Sequence, residues 1–382
     1  MRILVLHTKY QLHGGEDTVV KQELELLRQN HTVEILYFQN HLGLKGALQF
    51  LGSVWNIFSA QKVKQKIKEF KPDVVHIHNW HFTMGPLVFR VVKQLLIPVV
   101  HTIHNYRLLC PSGILLHDNK LFTDSLNETF QWTAIRNKVY RSSMVLTFWL
   151  AFVVWFHRKI GTWEKIDVYI CLTSFAVDVF QKSNFGISKE KFTVKPNFII
   201  ESEKLNISER EKHFLYVGRL SEEKGISILL AAFENLPFSI KIAGDGPLKD
   251  QVLEATQKFA NISYLGMLSN NEVGKALQKT QALIAPSIWY EGMPMTILEA
   301  FSNATPVISS NLGAMISLIS NGSNGFLFEP GNSVQLKETI LKYSNLSSDE
   351  KKQMSMNAFD NYQTMYSPQM QHASFKNIYS SI

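Results

Sequence analysis

Short runs of β-branched and aliphatic residues alternate along the chain with longer stretches whose apolar positions recur every three or four residues. Ile3–Leu6, Val33–Tyr37, Val74–Ile77, Val99–Thr102 and Val168–Leu172 predict strands buried on both faces. Thr18–Gln29 and Ser59–Phe70, between them, have helical spacing. The alternation then restarts. His213–Val217 predicts a strand and Ile226–Glu234 a helix, and Ser239–Ala243, Ile262–Leu265, Ala282–Ala285, Pro306–Ser309 and Gly325–Phe328 predict further strands. This order argues for an α/β fold of two doubly wound, Rossmann-like domains in tandem. Asn197–Lys212 is polar and lacks periodicity, and is the expected linker. Two such domains facing one another form a central cleft at the carboxyl ends of their strands, where ligands bind in open sheets.

Composition sharpens the picture. At 382 residues the chain has room for a large core without staples. Its two cysteines, Cys110 and Cys171, support no disulfide framework and fit a reducing compartment. The opening MRILVLHTKY lacks the parts of a signal peptide and reads as a first buried strand. The longest apolar run, Met144 to Phe156, is too short to span a bilayer. The expectation is a cytoplasmic protein, soluble or peripheral on the membrane.

Charge is uneven. Residues 1–198 carry 24 Lys and Arg against 14 Asp and Glu, and the remainder carries 15 against 18. A basic half suits an anionic partner, though surface lysines also serve solubility. No nucleic-acid-binding motif accompanies it, so nucleic acid is not expected as a partner. From Trp132 to Trp163 aromatic residues interleave with Arg136, Lys138, Arg141, Arg158 and Lys159. Two readings stand: a helix lying at a bilayer interface, or an ordinary helix packed in the N-terminal domain.

Candidate chemistry gathers at predicted strand ends. Glu291-Gly-Met-Pro-Met-Thr-Ile-Leu-Glu299 follows a strand, and Pro294 suits the first turn of a helix whose free amides attract phosphate. Glu291 and Glu299 then set carboxylates about 12 Å apart along the helix, one for a sugar ring and one for a ribose. A bare pair at this spacing is common by chance. Val217-Gly-Arg219-Leu ends another strand, with Lys224 five residues beyond Arg219; these cations suit a diphosphate. Gly14 and Gly15 follow the first strand after His13, where amides can face a phosphate, without a dinucleotide or Walker pattern. His104 closes His101-Thr-Ile-His104 at a strand end, placed to bond a sugar hydroxyl or a developing charge. His76, His78, His81, His101 and His104 match no metal-ligand spacing, and no metal is expected. Gly244-Asp-Gly-Pro247 is a turn near the expected nucleotide.

Taken in order, Gly14-Gly15, HTIHNYRLLCPSG, VKPNF, VGRLSEEKG, AGDGPL and EGMPMTILEA resemble the family 4 glycosyltransferases of the GT-B fold, over nearly the whole chain. The resemblance is nearest to bacterial enzymes of surface-polysaccharide synthesis. It implies retaining transfer of a hexose from a UDP- or GDP-sugar to a glycan or lipid-linked acceptor, with no cofactor or metal. Arg219 and Lys224 would hold the donor diphosphate, with Gly14 and Gly15 offering amides from the other domain. Glu291 would meet the transferred sugar, Gly292, Met293, Pro294 and Met295 would supply main-chain contacts, and Glu299 would bind ribose. Backbone near Met267 would meet the base, and His104 would be the catalytic-site histidine. The domains are expected at 1–198 and 199–358, with a C-terminal helix of about 359–382 crossing back. A nucleotide-sugar epimerase and a non-catalytic nucleotide-sugar-binding partner remain alternatives.

Overall fold

The computed structural model describes residues 1–9, 14–200 and 210–382. The chain folds as two compact units. One comprises Met1–Leu115, Phe122–Asn197 and Gln371–Ile382, and the other Leu116–Leu121 and Phe198–Met370.

The first eight strands are β1 (Arg2–Lys9), β2 (Thr32–Gln39), β3 (Val74–Ile77), β4 (Val99–Ile103), the hairpin pair β5 (Leu116–His117) and β6 (Lys120–Leu121), β7 (Val168–Cys171) and β8 (Phe192–Val194). Among the described residues the first unit has one parallel sheet, in the order β2-β1-β3-β4-β7-β8. β3 and β4 are buried along their whole length, as unbroken apolar runs require between two helical layers. The order reverses between β1 and β3, which pair from Ile3↔Val74 to Leu6↔Ile77.

Local chemistry sets the helix starts. The first helix, Gly15–Leu27, begins before the expected Thr18, because extended Gly14 caps it and donates its N–H to Asp17 Oδ2 at 3.1 Å. Helix Ile57–Phe70 is capped by Asn56, whose Oδ1 accepts from the Ser59 N–H at 3.0 Å. The apolar run after Ser143 forms helix Met144–Lys159, burying Leu150, Ala151, Val153 and Val154. No helix among the described residues is long and apolar enough to cross a membrane.

The second unit holds β9 (His213–Val217), β10 (Ser239–Ala243), β11 (Ile262–Gly266), β12 (Leu283–Ala285), β13 (Val307–Ser310) and β14 (Gly325–Phe328). They pair in parallel in the order β11-β10-β9-β12-β13-β14, the Rossmann order. Its core joins Phe214, Leu229, Phe233, Ile240, Ile308 and Leu336, each worth roughly 1.5–3 kcal/mol on burial. The two sheets are those of the GT-B type expected from the resemblance.

Two segments differ from expectation. Residues 201–209 of the expected linker lie outside those described. Arg210, near its far end, is anchored, donating to the carbonyls of Thr280 at 2.6 Å and Ala304 at 2.7 Å. The expected helix at 359–382 is instead three pieces: the end of Ser348–Asn361, a π-helical turn Tyr362–Tyr366, and helix Pro368–Ser380. Pro368 cannot continue the preceding hydrogen-bond ladder. The Tyr362 hydroxyl donates to Ile199 O at 2.9 Å and keeps the first pieces with the second unit. Only the stretch from Gln371 joins the first, burying Phe375, Ile378 and Tyr379 there.

Candidate active site

The second sheet reverses its order between β9 and β12, and the chain leaving both strands converges there. Beyond β9 the Leu220 N–H donates to Asp245 O at 2.9 Å, and the Leu248 N–H donates back to Leu220 O at 2.9 Å. Gly244 has φ 138°, and a Cβ there would lie 1.8 Å from Gly218 O. The Gly244–Pro247 turn is therefore a clamp on the Gly218–Leu220 backbone. That clamp holds Arg219, which is exposed and whose guanidinium has no partner among the described residues.

The loop then turns through Gly225, whose φ of 74° permits its close approach to Pro286 O beyond β12. The Ile288 N–H donates to Glu223 O at 3.0 Å and joins the two loops. This juncture brings Lys224 to Glu291. Lys224 Nζ donates to Glu291 Oε1 at 2.6 Å, and Ser287 Oγ donates to the same oxygen at 2.7 Å. Glu291 is only 5% exposed, so removal of either donor leaves a buried charge poorly compensated. Lys224 Nζ also lies 5.4 Å above the Trp289 ring. No described bond reaches Glu291 Oε2, which leaves one acceptor for a ligand.

Helix Met295–Ser302 starts four residues past Glu291, with Pro294 at its cap rather than in its first turn. The Met295 and Thr296 amides thus stand where a helix has no carbonyl to offer them, a polarity that favours anions. Met293 and Pro294 are buried and Gly292 is partly so. Glu299 lies along the same helix, and the protein around it pushes its carboxyl up to about 7. Met267, beyond β11, is 73% exposed and touches the core little.

The first unit has its own switch point, between β1 and β3. Gly14 and Gly15 open the helix after β1, and Asp17 on its first turn bonds His7 Nε2 at 2.9 Å. Glu16, His78, Asn79 and Arg107 line a small pocket with His104, which follows β4. His78 Nδ1 meets His104 Nε2 at 3.0 Å. Burial, with cationic neighbours, pushes both imidazoles well below the usual histidine range, so they are neutral at physiological pH. Lys195, fully buried, donates to Glu23 Oε1 at 2.7 Å. Burial raises the Glu23 carboxyl while Lys195 opposes the rise.

Glu23, His76 and His78 have donor atoms within 4.8 Å of one another, the spacing of a cation site. Protein partners already take most of those atoms. His76 bonds Tyr379 Oη at 2.8 Å and Thr102 Oγ1 at 2.7 Å, and the Lys195 ammonium sits on Glu23.

The expected residues thus fall into two sets, Gly14, Gly15 and His104 in the first unit and Arg219, Lys224, Met267, Glu291 to Met295 and Glu299 in the second. Sequence reasoning missed Ser287, Trp289 and the Glu23–Lys195 pair. The signal for Glu23 was present: it shares a helical stripe with Val19, Val20, Leu24 and Leu27, a charge on an otherwise apolar face.

Comparison with known proteins identifies the family. Residues 13–203, half of the chain, match the family model described as Glycosyltransferase Family 4. Residues 197–360 match Glycosyl transferases group 1. An uncharacterised glycosyltransferase of Methanocaldococcus jannaschii is 24% identical over 73% of this chain and 68% of its own length. The alpha-monoglucosyldiacylglycerol synthase of Streptococcus pneumoniae is 23% identical over 70% of this chain and 58% of that protein. Another Methanocaldococcus jannaschii glycosyltransferase, 34% identical, aligns over only 34% of this chain and 38% of its own length. Several of these curated relatives are therefore matched over less than two thirds of their length. Among solved structures, Anabaena HepE in complex with UDP superposes with a TM-score of 0.68 at 18% identity, covering 100% of both chains.

Proposed function

The chain belongs to glycosyltransferase family 4, and from that premise we propose that it is a retaining hexosyltransferase using a nucleotide-diphosphate sugar, of the UDP or GDP type, as donor. The observation that carries this reading is the Lys224–Glu291 pair at the switch point of the second sheet, with Arg219 exposed on the same loop as Lys224 and its guanidinium without a partner among the described residues. A glycosidic bond to a diphosphate breaks as the leaving group gains negative charge. Arg219 and Lys224 are placed to take that charge by bidentate and point contacts, with the Met295 and Thr296 amides assisting. No metal ion is needed for that role. Glu291 Oε2 accepts from hydroxyls of the transferred hexose, and Glu299 accepts from ribose hydroxyls. His104, in the first unit, is proposed to bond a sugar hydroxyl of the substrate. Same-face attack then retains the anomeric configuration, with the leaving phosphate taking the acceptor's proton.

The acceptor proposed is a glycan or a lipid-linked saccharide of cell-surface polymer or glycolipid synthesis. Two relatives support a lipid-bound acceptor by their own activities. One is the Streptococcus pneumoniae synthase above, and the other is an Escherichia coli galactosyltransferase acting on a diphosphoundecaprenol-linked sugar, 28% identical over 69% of this chain and 64% of its own length. The first unit supports it too. Helices Gly43–Gly52 and Met144–Lys159 leave Leu44, Leu48 and Val145 exposed, and Phe58 just beyond is 86% exposed. They are tied by Trp149 Nε1 donating to Phe50 O at 2.7 Å and His157 Nε2 donating to Val54 O at 2.7 Å. Residues 35–68 and 129–163 contain five Lys or Arg each and no Asp or Glu. Exposed apolar side chains on segments rich in cations suit the surface of an anionic bilayer.

A thermal-shift screen over UDP-, GDP-, ADP- and dTDP-sugars identifies the donor, since a ligand bound to the native state raises its melting temperature. NMR of the product anomeric proton then reads the stereochemistry. Glu291→Ala and Lys224→Ala each lower transfer by about 10²-fold or more in a folded protein. Wild-type turnover in either removes its assigned role. Conversion of the donor sugar with no acceptor present contradicts the transferase reading and makes the chain an epimerase.

A further inference from the structure

The buried pair Glu23–Lys195 has no place in the proposed transfer chemistry, yet it touches the site through a chain of contacts within the first unit. Lys195 Nζ holds Glu23 Oε1 at 2.7 Å. The other carboxylate oxygen, Oε2, lies 3.4 Å from His78 Nε2. Across the same ring, His78 Nδ1 meets His104 Nε2 at 3.0 Å. His104 Nδ1 has no bond among the described residues. Four side chains from four segments of the fold are thus in line: the turn after β8, the first helix, the end of β3 and the end of β4.

Only one proton can lie between two neutral imidazoles, so the two rings have two arrangements. In one, His78 carries its proton on Nε2, towards Glu23, and presents a bare Nδ1; His104 then donates from Nε2 and keeps a bare Nδ1. In the other, His78 donates from Nδ1 and turns a lone pair towards the Glu23 carboxylate, and His104 carries its proton on Nδ1. The carboxylate repels the second arrangement and attracts the first. Burial pushes the Glu23 carboxyl up, and the Lys195 ammonium donating to Oε1 at 2.7 Å opposes that rise and favours the charged form. The other titratable groups around His78 are His76, His7 and His104. His76 is neutral and has both nitrogens bonded elsewhere, and His7 points Nε2 at Asp17, so neither competes for the shared proton.

We infer that Glu23, held by Lys195 and acting through His78, is a positioning residue that fixes the proton of His104 on Nε2 and leaves Nδ1 as an acceptor for a sugar hydroxyl of the bound substrate. The inference deepens the role proposed for His104 and rests on it for the identity of the ligand, but the tautomer itself does not depend on that role. It also explains why an ion pair is buried where apolar side chains would pack at no electrostatic cost. A nitrogen that accepts favours substrates with a hydroxyl at that place over those with an ether or carbonyl oxygen, since an unmatched polar group is expensive.

Long-range 1H–15N spectra of protein labelled with 15N-histidine test this directly. Wild-type His104 is expected as the Nε2-protonated tautomer at neutral pH. Glu23→Gln combined with Lys195→Met removes the carboxylate without burying a lone ammonium. In that variant His104 becomes a mixture of tautomers, and kcat/KM falls roughly tenfold to a hundredfold while UDP affinity is unchanged. His78→Asn supplies an amide oxygen near the place of Nδ1 and restores the Nε2 tautomer and most turnover; His78→Phe does neither. An Nδ1-protonated His104 in the wild type overturns the inference even if the variants fail to fold. So does an unchanged tautomer in the double variant. If the tautomer responds as expected but no sugar is transferred, the proposed activity fails and the relay stands.

Discussion

Glu299 is the residue at which the proposed donor contact and the stability of the fold share one titration. Its carboxyl is pushed up to about 7, because the protein packed around it disfavours the charge. The folded chain holds this proton up to about pH 7, whereas an unfolded glutamate releases it near 4.5. Stability therefore falls as pH rises through that window. Thermal melts of Glu299→Gln are expected to match or exceed the wild type at pH 8, with the difference vanishing near pH 5. If Glu299 binds ribose in its ionised form, the nucleotide sugar that the screen identifies should bind about tenfold more tightly at pH 8 than at pH 6 in the wild type. The glutamine variant should show a flat, weak profile. A flat wild-type profile contradicts the ribose assignment. The bond between Lys224 and Glu291 joins two motifs that the family resemblance had singled out, since a pair of glutamates at this spacing is common by chance. The apolar stripe around Glu23 marks it as buried, but Lys195 was not legible, because a charged residue defaults to the surface and nothing local reveals a partner 172 positions away.

At the scale of elements, the two loops beyond β9 and β12 interlock through backbone. Gly225 has φ 74° and an added Cβ would lie 2.0 Å from Pro286 O. Gly225→Ala is expected to displace Lys224 and to lower kcat/KM about a hundredfold, with a loss of stability of about 1 kcal/mol or more. Gly322 is the control: its φ is 83°, but nothing lies within 4 Å of the added carbon, so Gly322→Ala costs stability and leaves turnover near normal. Equal turnover in the two variants contradicts the interlock. The apolar faces on Gly43–Gly52 and Met144–Lys159 carry a separate expectation. The protein should float with vesicles of phosphatidylcholine and phosphatidylglycerol at low salt, and not with phosphatidylcholine alone. Leu44→Ser, Leu48→Ser and Phe58→Ser together should abolish flotation without shifting the melt. Equal flotation of this variant, or none by the wild type, rejects the bilayer contact. The run Met144–Phe156 announced the second helix, but the first is shorter and its leucines resemble a core face until their exposure is seen.

Across the molecule, one motif is used twice. Each sheet reverses its strand order once, and candidate residues lie on the chain leaving strands at each reversal: Gly14 and Gly15 after β1, and Arg219, Lys224 and Glu291 after β9 and β12. The existence of nearly every strand was written in the β-branched runs, since burial on both faces demands continuous apolar sequence. Strand order was not, because periodicity reports which face is buried and not which strand lies alongside. The fate of the C-terminal segment was half legible: the resemblance implied a helix belonging with the first unit, but the break at Pro368 and the bond from Tyr362 to Ile199 depend on tertiary contacts. The claim on which the functional account depends is that Arg219 and Lys224 grip a nucleotide diphosphate without a metal ion. Isothermal titration of UDP and GDP in excess EDTA measures this most directly. The account predicts that one of them binds the wild type with affinity unchanged by EDTA, and that Arg219→Ala and Lys224→Ala each weaken it at least tenfold. Binding that requires a divalent ion, or that survives both substitutions intact, contradicts it.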